Sequence, residues 1–180
     1  MRALVVYESM YGNTKRIAEA IADGISRHMT VEAVEVSLAP TAIEPDVDLL
    51  VVGGPTHVHG MTTRFTRAQA VKQATRHVVS EDTGVREWLD DIRAIGKSTV
   101  ARAFDTRFKG AAILTGSAAN GFARKLRAVG FRVVTPTESF FIATKAPQDD
   151  ALLAGEIERA RAWGSEVATQ LTPRVALPVA

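Results

Sequence analysis

The sequence predicts an α/β domain built on a single doubly wound, five-stranded parallel sheet in the order 2-1-3-4-5. Three observations carry that expectation. The apolar, β-branched runs Ala3–Tyr7 and Asp48–Val52 are continuous rather than alternating, the pattern of strands buried on both faces. Amphipathic helical stripes separate such runs, so right-handed βαβ crossovers follow. At 180 residues, with 46% hydrophobic and 23% charged side chains, the chain suits one core and one domain.

Each element follows in order. The first strand, Ala3–Tyr7, closes on Glu8-Ser9. Ile17, Ile21 and Ile25 recur every four residues beside Ala18 and Ala22, one apolar stripe from Asn13 to about Arg27 that predicts the first helix. Val31–Val36 is β-branched but carries Glu32 and Glu35, which suits an edge strand. The third strand, Asp48–Val52, is expected to stop at the Gly53-Gly54-Pro55 breaker. Gly60–Gly96 reads as an interrupted helical segment. Phe65, Ala68, Val71 and Ala74 are moderately periodic, Val85, Trp88, Leu89, Ile92 and Ile95 fit the 3.6-residue repeat, and Ser80–Gly84 is the break. Thr99–Phe104 is the fourth strand. Ala119, Phe122, Ala123, Leu126 and Val129 mark a helix closed by Gly130 as a left-handed cap. Phe131–Val134 and Phe140–Ala143 form a fifth strand interrupted at Pro136. The last helix runs from Asp150 to Leu171 and turns Leu153, Ile157, Ala160, Val167 and Leu171 inward. The domain therefore spans 1–171, and 172–180, with two prolines and no periodicity, is expected to be a flexible tail.

Composition narrows the chemistry. The chain has no cysteine, which removes disulfides, thiolate metal sites and thiol catalysis, so any redox chemistry must come from a bound cofactor. Its 22 basic and 20 acidic residues nearly cancel and form no block of like charge, which argues against nucleic acid as a partner. The N-terminal apolar run is too short for a secretory signal and no 18-residue apolar stretch exists, so a cytoplasmic protein without a membrane partner is expected.

In a sheet of this order, ligands bind at the carboxyl edge, near the switch point between the first and third strands. The loop after the first strand is Ser9-Met10-Tyr11-Gly12-Asn13-Thr14. Two hydroxyls, backbone N–H groups at Gly12 to Thr14 and the positive end of a helix converge there without steric cover, as a phosphate requires. The bland alternative is that Asn13 or Thr14 merely caps the helix. The loop after the third strand is Gly54-Pro55-Thr56-His57-Val58-His59-Gly60, whose Pro and Gly punctuation and polar donors suit the rim of a planar heterocycle. Two histidines spaced i, i+2 without a neighbouring carboxylate or cysteine are a weak metal signal, and solvated loop histidines explain them better.

At the first of these loops the sequence resembles the flavodoxins, whose phosphate loop reads Thr/Ser-x-Thr-Gly-x-Thr; Ser9, Gly12, Asn13 and Thr14 stand in that frame. Tyr11 replaces the usual Thr and looks more like flavodoxin-fold quinone reductases and the flavodoxin domains of flavodiiron proteins. The resemblance implies a flavodoxin-like fold and noncovalent FMN. Its phosphate would sit on Ser9, Met10, Tyr11, Gly12, Asn13 and Thr14, and its ring between Pro55, Thr56, His57, Val58 and Gly60 on one side and a loop of Asp105, Thr106, Arg107 and Phe108 on the other. With Trp88 and Trp163 on helices, the ring would be walled chiefly by Pro55, His57 and Phe108. Arg107 near the ring would favour added negative charge there and a less negative flavin potential; the alternative is an outward surface arginine.

The implied function is electron transfer to a redox protein partner. The alternatives are an NAD(P)H-dependent quinone reductase acting on a small quinone, and a non-catalytic binding or sensory module. Two other readings fail on their residues. Gly116–Gly121 has the spacing of half a nucleotide P-loop, but Phe122 and Ala123 stand where Lys and Ser/Thr are needed, and Ser117 reads as a helix cap. A response-regulator receiver needs clustered acids where this chain has Glu8-Ser9 and Gly53-Gly54.

Overall fold

The computed structural model describes residues 1–74, 77–95, 98–111, 115–143 and 151–171. Five parallel positions form the main sheet. They are filled by β1 (Arg2–Tyr7), β2 (Thr30–Glu35), β4 (Leu49–His57), β7 (Val100–Phe108) and, at the far edge, the two short strands β8 (Arg132–Val133) and β9 (Glu138–Ile142). The order is β2-β1-β4-β7, with β8 pairing the first half of β7 and β9 its second half. This is the order 2-1-3-4-5, with the last strand split around Pro136 as the sequence predicts.

Helices cover both faces. On one lie α1 (Asn13–Ser26) and, C-terminal in the chain, α5 (Glu156–Thr169); on the other lie α3 (Val85–Asp91) and α4 (Ala118–Val129). Strand alternation divides the core accordingly. Leu4, Val6, Leu50 and Val52 point toward Trp88, Leu89, Phe122 and Leu126, whereas Ala3, Val5, Leu49 and Val51 point toward Ile17, Ile21, Ile25 and Trp163. In the second layer Phe104, Phe140 and Trp163 meet edge to face, with centroids 6.0–6.4 Å apart. α1 and α5 approach so closely that a Cβ on Gly24 would overlap the Arg161 carbonyl oxygen and one on Gly164 the Ile21 carbonyl oxygen.

Four expectations need correction. β4 does not stop at Gly53-Gly54-Pro55 but runs to His57, because Gly53 leaves room for the Phe104 ring and the strand keeps parallel partners through Pro55↔Thr106. It then turns back through the short β5 (Gly60–Met61). Likewise Asp105–Phe108 is the end of β7 and not a loop, paired on one side with β4 and on the other with β9. In the Gly60–Gly96 segment, α2 (Arg64–Gln73) turns Phe65 and Val71 outward and buries Arg67, while the break before α3 falls where expected. After α3 the chain forms β6 (Arg93–Ala94), which pairs with β3 (Ala42–Ile43) from ahead of β4, and Ile95 is exposed. Residues 151–155 are not helical; Ala151 and Leu153 instead bond to the backbone of Ala143 and Phe141, and α5 begins at Glu156. The expected helix start at Asp150, the segment end at Gly96 and the tail 172–180 lie outside the described residues.

Candidate functional site

The loop between β1 and α1 is preformed by its own polar groups. Gly12 takes φ +87°, a left-handed conformation that glycine adopts without penalty, and occupies the N-cap position itself. Asn13 and Thr14 therefore belong to the first helical turn and are not caps. The buried Ser9 Oγ accepts from the Gly12 N–H at 3.1 Å and the Lys15 N–H at 3.2 Å. Asn13 Oδ1 accepts from the Ala151 N–H at 3.1 Å, and Thr14 Oγ1 lies 2.7 Å from Thr106 Oγ1. In that hydroxyl pair one proton serves the internal bond, leaving the other hydroxyl able to donate outward.

The segment after α2 holds the loop from outside. Ser80 N–H donates to the Ser9 carbonyl at 2.9 Å, Ser9 N–H donates to Ser80 Oγ at 3.0 Å, and Val79 N–H reaches the Met10 carbonyl at 3.0 Å. Met10, Ala70 and Val78 pack into a small apolar cluster, and the Tyr11 hydroxyl donates to the Ala70 carbonyl at 3.3 Å.

Beyond Pro55, β4 and β5 form a hairpin whose two turn residues, Val58 and His59, have φ of +44° and +69°. A β-branched residue in that region is strained, and the turn leaves Val58 83% exposed at the tip. Burial, reinforced by the positive charge of nearby Arg67, pushes the His57 imidazole below its usual pKa, so it is neutral at pH 7.

At the end of β7, polar side chains face inward. Asp105 is fully buried: its Oδ2 accepts from Thr56 Oγ1 (3.1 Å), Ser117 Oγ (2.7 Å) and the Ala119 N–H (3.0 Å), so it caps α4 and positions Thr56. Ser117 also accepts from the Asn120 N–H, as a cap should. Arg107 is not an outward surface residue. Its guanidinium donates to Ser139 Oγ and to acceptors on Phe108, Gly110 and Thr115, and faces the opposing charge of Asp105 Oδ1 at 3.8 Å.

These elements enclose a cavity of about 380 Å³. Of the residues the sequence singles out, Ser9, Met10, Tyr11, Asn13, Thr14, Pro55, Thr56, His57, Val58, Thr106, Arg107 and Phe108 line it. Gly12, Gly60 and Asp105 do not; they shape the loop, the hairpin and the floor beneath. The sequence reading misses Ile142 and the α2 wall of Phe65, Thr66, Gln69, Ala70 and Gln73. The signal for α2 was present as a stripe at positions 66, 69, 70 and 73, helical spacing in small and amide side chains. Phe65, 72% exposed, adds to Tyr11 and Phe108 a third benzenoid ring beside the cavity. Among the described residues no cluster of three or more metal-ligating side chains forms, and no helix is long and apolar enough to cross a membrane.

Behind the cavity lies a buried ionic cluster. Glu8 Oε2 accepts from Thr62 Oγ1 and the Val85 N–H, both at 2.8 Å, while Oε1 has no hydrogen-bond partner among the described residues. Arg67, 1% exposed, donates to Thr62 Oγ1 and the Asp82 carbonyl and pairs with Glu87 at 3.0 Å. Burial raises the Glu8 pKa above its ordinary 4.5, outweighing these hydrogen bonds and Arg67. A raised folded-state pKa means that the native state holds this proton more tightly than the unfolded chain does. The stability it contributes is complete below pH 4.5 and is lost as pH rises through the raised value. Urea unfolding across that window should show Glu8→Gln with a flatter pH dependence than wild type; parallel profiles would refute this assignment.

A flavodoxin family profile matches residues 5–111, more than half of the chain. A search against curated protein sequences gives no match. Among solved structures, the chain is similar to oxidised flavodoxin 1 from Bacillus cereus, with TM-score 0.64, 18% identity, and coverage of 96% of this chain and 100% of that one. A flavodoxin from the Archaea gives TM-score 0.62 and 19% identity over 95% and 99% of the two chains. Rubredoxin oxygen:oxidoreductase from Desulfovibrio gigas gives 0.58 and 14%, covering 98% of this chain but 37% of that larger one. At these identities the structural likeness speaks for the fold, and the family match, which spans the β1–α1 loop, the β4–β5 hairpin, α2 and the end of β7, for the kinship. The chain belongs to the flavodoxin family, whose members bind FMN.

Proposed function

We propose that this protein holds FMN in the cavity beneath α2 and works as an electron carrier. The observation that supports this reading is that one cavity joins an anion-binding loop to a slot of apolar and polar walls, the Arg107 guanidinium among them. The donor set fits a phosphate monoester: the outward hydroxyl of the Thr14–Thr106 pair and the N-terminal turn of α1, which carries no acid. Pro55, His57, Phe65 and Phe108 suit a planar ring, with His57 neutral and so adding no charge beside it. FMN, when bound, supplies one- and two-electron redox chemistry. The side chains' work is to bind, orient and partly shield it; a carrier needs no acid–base residue.

Purified protein that is yellow, or that takes up added FMN and passes electrons to a haem protein, supports this reading. Steady NAD(P)H oxidation with added quinone would assign it to the quinone reductases instead, and a colourless protein that takes up no FMN would make it a binding or sensory module. Thr14→Val should weaken FMN binding by about 1.5–3 kcal/mol, the worth of a hydrogen bond to a charged group. In a fluorescence-quenching titration this is a rise in Kd of about 10- to 150-fold. An unchanged Kd would refute the contact.

A further inference from the structure

The cavity rim is apolar and cationic at once. Val58, Phe65 and Phe108 line the cavity yet are 83%, 72% and 40% exposed. Charge along the chain is uneven in a way that the near-balanced total conceals. Pro55–Ser80 contains four arginines and lysines and Thr106–Thr115 two, with no aspartate or glutamate in either stretch. Within them Arg67 and Arg107 are buried and engaged. Arg64, Lys72 and Lys109 are exposed, Arg64 adjacent in sequence to Phe65, Lys72 two helical turns from Phe65 on the same side of α2 and Lys109 adjacent to Phe108, and none has an ion-pair partner among the described residues. An apolar centre edged by uncompensated cations has the anatomy of a transient protein interface, where the apolar core is desolvated and rim charges steer approach. Nucleic acid would use the cations but gain little from Val58 and Phe65.

We propose that this face docks an acidic redox protein, one whose carboxylates surround an apolar contact, and discriminates against basic ones. The proposal rests on the electron-carrier reading and names the partner's chemistry at the same site.

The test uses the full chain loaded with FMN, an acidic [2Fe–2S] ferredoxin as probe and basic cytochrome c as its counterpart, with binding followed by fluorescence anisotropy. At about 20 mM salt the ferredoxin should bind at least about tenfold more tightly than cytochrome c, and raising salt to about 300 mM should weaken it about tenfold or more. The combined variant R64E, K72E and K109E should invert the preference. Phe65→Ser should weaken ferredoxin binding while keeping its salt dependence. Equal binding of the two probes, or an unchanged preference in the charge-reversed variant with native circular dichroism, would overturn the proposal. Electron transfer is measured separately with an acidic haem protein, cytochrome b5, as acceptor. Its failure with charge-selective binding intact overturns the carrier reading alone; transfer that proceeds without charge selectivity overturns the docking face alone.

Discussion

Replacing Arg67 by alanine should lower the unfolding free energy by about 3–5 kcal/mol, the penalty for leaving a buried ionic cluster half made. Arg67 is 1% exposed and stands where β1, α2 and the start of α3 converge. Its guanidinium pairs with Glu87, whose carboxylate also accepts from the Gly84 N–H at 3.2 Å, and it donates to Thr62, which in turn donates to Glu8. Truncation leaves Glu87 without its cation and removes the positive charge that offsets the burial of Glu8. Because α2 also forms one wall of the cavity, FMN affinity should fall with stability. The contrast that isolates the mechanism is Arg67→Met combined with Glu87→Gln, which removes both charges of the pair while keeping an acceptor for the Gly84 N–H, and should recover part of the loss. Urea unfolding at pH 7 decides the matter; an Arg67→Ala protein within about 1 kcal/mol of wild type would show the cluster to be energetically idle.

Gly164→Val should be almost as severe, about 3 kcal/mol, through overpacking. A side chain at this position meets the backbone carbonyl of Ile21, and backbone cannot rotate away as the tip of a flexible side chain can. Gly24 opposes Arg161 in the same manner, so the two glycines let α1 and α5 touch backbone to backbone. Forcing them apart would loosen the layer that holds Ile17, Ile21, Trp163 and Val167. For a domain of 180 residues the expected fall in Tm is about 6–12 °C. A fall of less than about 2 °C would mean that the helix pair accommodates the new side chain.

What the sequence made legible, and what it hid, divides along physical lines. Ala3–Tyr7 and Leu49–Val52 announce themselves because strands covered on both faces must be apolar throughout, and that order of strands and helices implies the sheet order. The β1–α1 loop is legible because hydroxyl, glycine and helix start fall there at the spacing that an anion-binding turn requires. The end of β7 is hidden. Asp105, Thr106 and Arg107 are polar, and only the partners brought by the fold, Ser117, Thr14 and Ser139, make a strand of them. α2 is hidden more deeply, since its pattern is inverted: Arg67 is buried by a cluster that periodicity cannot foresee, and Phe65 faces a cavity rather than a core. Hydrophobicity reports what an element buries against its own chain, and that helix buries little.

The two-layered core gives each tryptophan a separate field of view. Trp88 is buried on the α3–α4 side of the sheet, its indole N–H donating to the Pro40 carbonyl at 3.1 Å, and Trp163 is buried on the α1–α5 side against Phe104 and Phe140. The protein thus carries one native optical probe per layer. Fluorescence from either one, isolated by replacing the other with phenylalanine, tracks the melting of its own side, and coincidence of the two curves is the direct measure of whether the sheet binds both halves into one cooperative unit.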